Sequence, residues 1–270
     1  MKFKRMGVLI AAVFLALFYL FPFVVVLLNS LKGRVEVLRD PLALPTSLDF
    51  SNYIDAFTRM NYSTTFVNSL IVTVLSIVML TIFPSMLAYY LARFENLATK
   101  IVFILLVVSM IVPFQALMIP FASIYGRLSL LNNRWSLIFF YLGFGVSLST
   151  FLYHGFIRTI PIALDESAAI EGANKFQIFW KIIFPILRPT TATIIILNAL
   201  WIWNDYLLPS LVLFINDRTL PLSTYSFYGQ YTSDYGVAMA GLILSIAPVI
   251  VFYIFMQRNI LKGIAEGAVK

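Results

Sequence analysis

Six stretches of this chain stay apolar for about twenty residues or more, and they decide what it can fold into. They are residues 7–30, 65–92, 101–124, 136–157, 186–214 and 236–256. About twenty residues of helix cross the hydrocarbon core of a bilayer. None of the runs alternates in the ten-residue segments of a membrane β-strand. The expected class is therefore all-α transmembrane. Composition agrees: 61% of the 270 residues are hydrophobic and 11% charged, against about half and a quarter in soluble domains.

Several kinds of chemistry are excluded or disfavoured. There is no cysteine, so disulfides, iron–sulfur clusters and thiolate metal sites are ruled out. One histidine, His154, is too little for a histidine-built metal centre. The net charge of +7 reads in a membrane protein as loops retained in the cytoplasm, not as nucleic-acid binding. With the N-terminus inside, Lys2, Lys4, Arg5, Arg93, Lys100, Arg158, Lys175, Lys181, Arg188, Arg258, Lys262 and Lys270 are cytoplasmic. Lys32, Arg34, Arg39, Arg59, Arg127, Arg134 and Arg218 are then outside, a split of 12 to 7 that favours both termini in the cytoplasm. The first outer loop weakens the bias with four positive residues, but Glu36, Asp40, Asp49 and Asp55 accompany them. The first run, behind Lys2, Lys4 and Arg5, is too long for a signal-peptide core and has no A-x-A-like cleavage site after it. It is expected to remain as a first helix. Pro22, Pro84, Pro113, Pro120 and Pro248 interrupt the runs, which suits a bundle lining a cavity as well as kinked packing alone.

The anomaly is "DESAAIEGANKFQIFWKIIFPILRP", residues 165–189. It is polar, carries three carboxylates and sits between the fourth and fifth apolar runs, on the cytoplasmic side of the predicted topology. It reads as two short helices. The first follows Pro161 and runs to about Ile170, with Asp165 and Glu166 near its positive end. Gly172 stops it. Asn174 then caps a second helix, with Gln177 three residues on as in a capping box. Phe176, Phe179, Trp180 and Ile183 fall on one face of that helix, and Pro185 closes it. Ala168, Ala169, Gly172 and Ala173 are small enough to let another surface approach. Two readings stand at this point: an interfacial helix on lipid headgroups with Trp180 as anchor, or a docking element seated in a partner's groove.

These residues resemble the EAA loop of ABC importer membrane subunits, whose pattern is roughly E-A-A-x-x-x-G, nine variable residues, then I-x-x-x-P, with the hydrophobic position before the proline here spread over Ile182 and Ile183. Glu166, Ala168, Ala169 and Gly172 fit it, Ser167 replaces the first alanine, and Leu187 with Pro189 fit the L-x-P ending. Three further stretches are similar to the maltose-type second permease of carbohydrate importers: "WNDYLLPSLVL" (203–213), "TLPLSTYSFYGQYTSDYGVAMAG" (219–241) and "QRNILKGIAEGAVK" (257–270).

The resemblance implies a six-helix type I ABC importer permease fold with a cytoplasmic coupling helix. It implies a first helix and outer loop over 1–64, a five-helix core over 65–257, the EAA loop at 158–190 within it, and a tail at 258–270. It further implies that Glu166, Ala168, Ala169, Gly172, Phe176, Phe179 and Pro185 couple to an ATPase. Gly267, Ala268, Val269 and Lys270 would reach between ATPase subunits, and part of 216–235 would enter a sugar-binding protein. The implied partners are a homologous second permease, two ATP-binding ATPase subunits, an extracytoplasmic sugar-binding protein and membrane lipid, in the cytoplasmic membrane of a bacterium or archaeon. No cofactor is expected on this chain. It lacks G-x-x-x-x-G-K-[ST], so ATP and Mg belong to the ATPase.

Asp205 is an acid at the end of a membrane run and a functional-site candidate by default. It is read either as a proton-relay or sugar-binding group, or as a residue of a wet outer mouth beside Asn204, Trp201, Trp203 and Tyr206. His154 is read as structural or interfacial. The competing functional classes are a self-sufficient secondary transporter, for which no internal repeat is evident, and an intramembrane enzyme, for which no G-x-S-x-G, H-E-x-x-H or paired intramembrane aspartates are present.

Overall fold

The computed structural model describes residues 2–214, 217–227 and 234–268, with the backbone alone described for 2–4, 226 and 258–268. The described residues are helical without strands. In order the helices are α1 (Lys2–Ser30), α2 (Arg34–Arg39), α3 (Ser51–Arg59), α4 (Tyr62–Arg93), α5 (Leu97–Ser109), α6 (Phe114–Arg127), α7 (Arg134–Ile157) and α8 (Ala163–Ile170). There follow α9 (Lys175–Ile178), a π-helical turn (Phe179–Ile183), α10 (Phe184–Ile186), α11 (Arg188–Asn204), α12 (Leu207–Val212), α13 (Leu220–Thr224), a 3₁₀ turn (Tyr225–Phe227) and α14 (Tyr235–Ala268).

Among the described residues, four helices are long and apolar enough to cross a membrane: Arg5–Ser30 within α1, α4, α7, and Tyr235–Gln257 within α14. Two further candidates are bent pairs, which bring the number to six if each pair is one span. The single helix expected over 101–124 is in fact broken: α5 and α6 meet at 102°. The chain leaves α5 through tight i→i−3 bonds (Met110 N–H to Val107 O, Ile111 N–H to Val108 O), and Pro113 is extended ahead of α6. Proline has no N–H to donate to the helical pairing that would carry α5 onward. The run at 186–214 is likewise corrected. It bends by 75° at Leu187, and α11 ends at Asn204.

The chain divides into two compact units, residues 1–65 with 220–250, and residues 66–219 with 251–270. In the first, the end of α1 is pinned to the polar segment that follows. Ser30 pairs with Tyr53 at 2.7 Å, Asn29 donates to Pro41 O at 2.9 Å, and buried Asn52 donates to Ser30 O and Lys32 O. Gly236 lies against this cluster; a Cβ there would stand 2.7 Å from Lys32 O. Residues 5–24 of α1 are exposed on every face.

In the second unit α7 is the axis. Its i, i+4 row Leu137, Tyr141, Gly145, Ser149, Tyr153 and Ile157 is buried end to end, the arrangement of a ridge set into its neighbours. At Gly145 the packing leaves no room for a side chain: a Cβ would meet both Leu80 methyls at 2.8 Å and the Trp201 ring at 3.2 Å.

Candidate functional site

The polar stretch folds as two helices joined by a left-handed turn. Asp165 and Glu166 lie in the first turn of α8, where the helix dipole favours them. Gly172 sits at φ +88°. Its N–H bonds Ala169 O and the Ala173 N–H bonds Ala168 O, each at 3.0 Å, the two bonds of a Schellman C-cap. Asn174 caps α9 through a reciprocal box: its Oδ1 accepts from Gln177 N–H and Gln177 Oε1 accepts from Asn174 N–H, both at 2.9 Å.

The second helix departs from the expected single apolar face. It opens into the π turn at Phe179–Ile183, with Phe184 N–H bonding Phe179 O five residues back. This re-aims the stripe. Phe179 and Ile183 are buried, together with Ile178, while Phe176 is 63% exposed. Pro185 does not close the helix as predicted. Lacking an N–H, it needs no helical acceptor behind it, and the widened turn just before it accommodates the unpaired carbonyl. The helix continues to Ile186 and bends at Leu187.

The buried side of the loop joins Tyr89 of α4, Tyr153 and Ile157 of α7, and Ile194 of α11 in one apolar cluster with Ala168, Ile178, Phe179, Ile183 and Leu187. Trp180, the anchor in the lipid-headgroup reading of the loop, is half-buried among the rings of Phe176, Phe179 and Phe184. Of the predicted coupling residues, Glu166, Ala169, Gly172 and Phe176 are exposed, Pro185 is half-buried, and Ala168 and Phe179 are buried within the chain. Ile170 at the end of α8 is 88% exposed as well. The sequence reading missed it because Ile170 is outside the motif and off the stripe.

The loop is also held by an ion pair. Arg93 at the end of α4 donates to Asp165 Oδ2 at 2.9 Å, and Tyr89 donates to Asp165 Oδ1 at 2.6 Å. These residues are far apart in sequence, and no local signal joins them.

Asp205 terminates α11. Its Oδ1 accepts the Leu207 N–H at 2.9 Å and starts α12, while its Oδ2 accepts the hydroxyl of fully buried Tyr141 at 2.9 Å. Both oxygens are thus engaged in holding the α11–α12 corner to α7. His154 is buried with its ring 4.1 Å from Phe103, a packing role. Asn68 is buried, accepting from Arg134 and donating to Arg218 O. Val269 and Lys270 lie outside the described residues, and Gly267 and Ala268 are described only as helical backbone. Residues 216 and 228–233 of the last outer loop are also outside the description.

Residues 81–266 match the family of binding-protein-dependent transport system inner membrane components. The chain belongs to this family. It is a multi-pass membrane protein of a transport system, and the family's matched region contains the whole two-helix loop. Among curated relatives of this permease family, the probable starch degradation products transport system permease protein AmyC of Thermoanaerobacterium thermosulfurigenes is 46% identical, covering 95% of this chain and 93% of the relative. The multiple sugar-binding transport system permease protein MsmG of Streptococcus mutans is 38% identical over 93% and 92% of the two chains. The melibiose/raffinose/stachyose import permease MelC of Bacillus subtilis is 34% identical over 100% and 98%. Among solved structures, a chain of a bacterial ABC transporter involved in import of the acidic polysaccharide alginate superposes with a TM-score of 0.80 at 26% identity, covering 96% of this chain and 98% of that one. The type I ABC permease fold expected from the resemblance is therefore present.

Proposed function

We propose that this chain is one permease subunit of an ATP-driven carbohydrate importer, moving a sugar or oligosaccharide inward by alternating access. Its partners are a homologous second permease, two ATPase subunits and an extracytoplasmic sugar-binding protein. Both termini and the α8–α10 loop lie in the cytoplasm. The observation that carries the reading is the division of the loop into two sides. One side is buried against α4, α7 and α11, and the other exposes Glu166, Ala169, Ile170 and Phe176. A body fixed to spanning helices on one side and open on the other, with Glu166 beside apolar Ile170 and Phe176, suits transmission of a rigid-body movement from a second protein. Glu166 is the group that would pair with a basic residue of the ATPase. Ala169, Gly172 and Phe176 supply the close contact, with Pro185 at the edge, while Ala168 and Phe179 act from inside by holding the loop in shape. The tail residues Gly267, Ala268, Val269 and Lys270 are proposed as a second ATPase contact. ATP and Mg bind the ATPase, not this chain.

The sugar class is supported by the relatives, which are named for starch degradation products, for multiple sugars and for melibiose, raffinose and stachyose. The secondary-transporter alternative is disfavoured by membership in a family of binding-protein-dependent components. The test is reconstitution of the chain with its partner subunits in proteoliposomes, followed by uptake of a panel including maltotriose, raffinose and melibiose. Uptake that requires ATP, the ATPase and the binding protein supports the proposal. Uptake by this chain alone, driven by a proton or sodium gradient, refutes it.

A further inference from the structure

The α8–α10 loop is attached to its neighbours in sequence at two bends. One is the non-helical link at residues 158–162 after α7, and the other is the 75° break at Leu187 before α11. Two attachment points leave a body free to rotate about the line that joins them. A third point, off that line, removes the rotation. The apolar cluster with Tyr89, Tyr153, Ile157 and Ile194 packs the inner side of the loop, and the end of α4 adds a directional polar grip. Arg93, with its side chain 9% exposed, donates to Asp165 Oδ2 at 2.9 Å and from both terminal nitrogens to Ile160 O at 3.2 Å. It therefore grips α8 and the link at once. Tyr89, one turn earlier, engages the other carboxylate oxygen at 2.6 Å. Phe94, next to Arg93, lies under the Lys175 ammonium, 4.2 Å from ring centroid to Nζ, and so tethers the start of α9. Adjacent acids thus have opposite environments: Asp165 is spent on α4, while Glu166 is exposed.

We propose that Arg93 is a positioning residue for energy coupling. With Tyr89 it locks the loop to α4, so that a displacement of the loop is carried into α4 instead of being absorbed by rotation at residues 158–162. This rests on the reading of the loop as the ATPase-docking element. A largely desolvated ion pair suits the task, because it loses much if only one partner is removed. The α4–α5 corner belongs to the same rigid body. Thr99 Oγ1 donates to Phe94 O at 2.7 Å, and Asn96 and Thr99 form a capping box.

The test uses the assembled transporter in lipid nanodiscs, with the partner subunits freed of reactive cysteines. The chain itself has none. Leu97→Cys at the α4–α5 corner and Ala163→Cys at the start of α8, both at exposed positions, carry a spin-label pair for electron–electron distance measurement. The distance is expected to be narrow and to keep its mean within about 2 Å between the nucleotide-free and ATP–vanadate-trapped states, while the loop as a whole moves. Arg93→Gln and Asp165→Asn should each broaden it, and the exchange of Arg93→Asp with Asp165→Arg should narrow it again relative to either exchanged residue alone. A mean that shifts by more than about 4 Å between states in the unsubstituted chain overturns the lock. So does an Arg93→Gln distribution as narrow as the unsubstituted one. Should Arg93→Gln fail to assemble, the two-state comparison and Asp165→Asn still decide. Failure of the ATPase subunits to co-purify with the unsubstituted chain overturns the docking reading instead.

Discussion

Replacing Gly172 by alanine and by asparagine separates what this residue does for the chain from what it does for a partner. A Cβ at Gly172 would meet nothing within 4 Å, but φ is +88°. The cost of alanine is therefore backbone strain alone, about 1–2 kcal/mol for an ordinary L-residue in the left-handed region. Asparagine visits that region readily and should lose much less. The strain falls on the two bonds that close α8, from Gly172 N–H to Ala169 O and from Ala173 N–H to Ala168 O. At about 1.4 kcal/mol per tenfold, Gly172→Ala should open this turn roughly 5–30 times more often. Hydrogen exchange of the Ala173 amide in the purified protein should accelerate by that factor, with Gly172→Asn staying under about fivefold. If a partner lies against Gly172, asparagine should still weaken its binding, since the side chain enters the contact while the turn survives. Unchanged exchange in Gly172→Ala, or equal acceleration by alanine and asparagine, would refute the assignment of Gly172 to a left-handed cap.

Phe176 and Phe179 test the two sides of the loop. Phe179→Ala should lower stability by about 3–5 kcal/mol, because the ring is 3% exposed within the cluster. Phe176→Ala should leave thermal unfolding within about 0.5 kcal/mol of the parent but reduce co-purification of the ATPase subunits. Equal melting temperatures for the two variants would contradict the split of the stripe. Gly145→Leu should destabilise by more than about 1–3 kcal/mol through collision with Leu80 and Trp201, with partial recovery by Leu80→Ala in the same melting assay. Asp205→Ala should cost about 1–3 kcal/mol by leaving the buried Tyr141 hydroxyl unpaired. Asp205→Asn, which retains an acceptor, should melt close to the parent and retain ATP-dependent uptake; abolition of uptake by Asp205→Asn would restore the proton-relay reading.

The six apolar runs and the caps of the polar loop were legible because each depends on local chemistry. Hydropathy marks the spans, Gly172 marks a left-handed turn, and Asn174 with Gln177 marks a helix start. What escaped the sequence was geometry that hydropathy averages away. The 102° bend between α5 and α6 lies inside one continuous apolar run, and only Pro113 hinted at it. The π turn turned Phe179 and Ile183 inward, and a fixed period of 3.6 residues cannot anticipate a change of winding. Nothing local links Arg93 to Asp165, because packing alone brings α4 to the loop. Asp205 was open in the sequence to two readings, a proton-relay or sugar-binding acid and a residue of a wet outer mouth. Its actual partners, Leu207 N–H and the Tyr141 hydroxyl, make it a corner bracket, and the second of these is 64 residues away in the chain.

A crosslinking measurement addresses the central claim most directly, that a separate ATPase seats on the exposed side of the α8–α10 loop. Ala169, exposed in a chain without cysteine, is changed to Cys and the assembled transporter is treated with a short thiol-reactive photocrosslinker through the ATP cycle. The account predicts an adduct with the ATPase subunit, diminished by Glu166→Lys. An adduct only with lipid, or a thiol at residue 169 equally open to water-soluble reagent with and without the ATPase present, would contradict it.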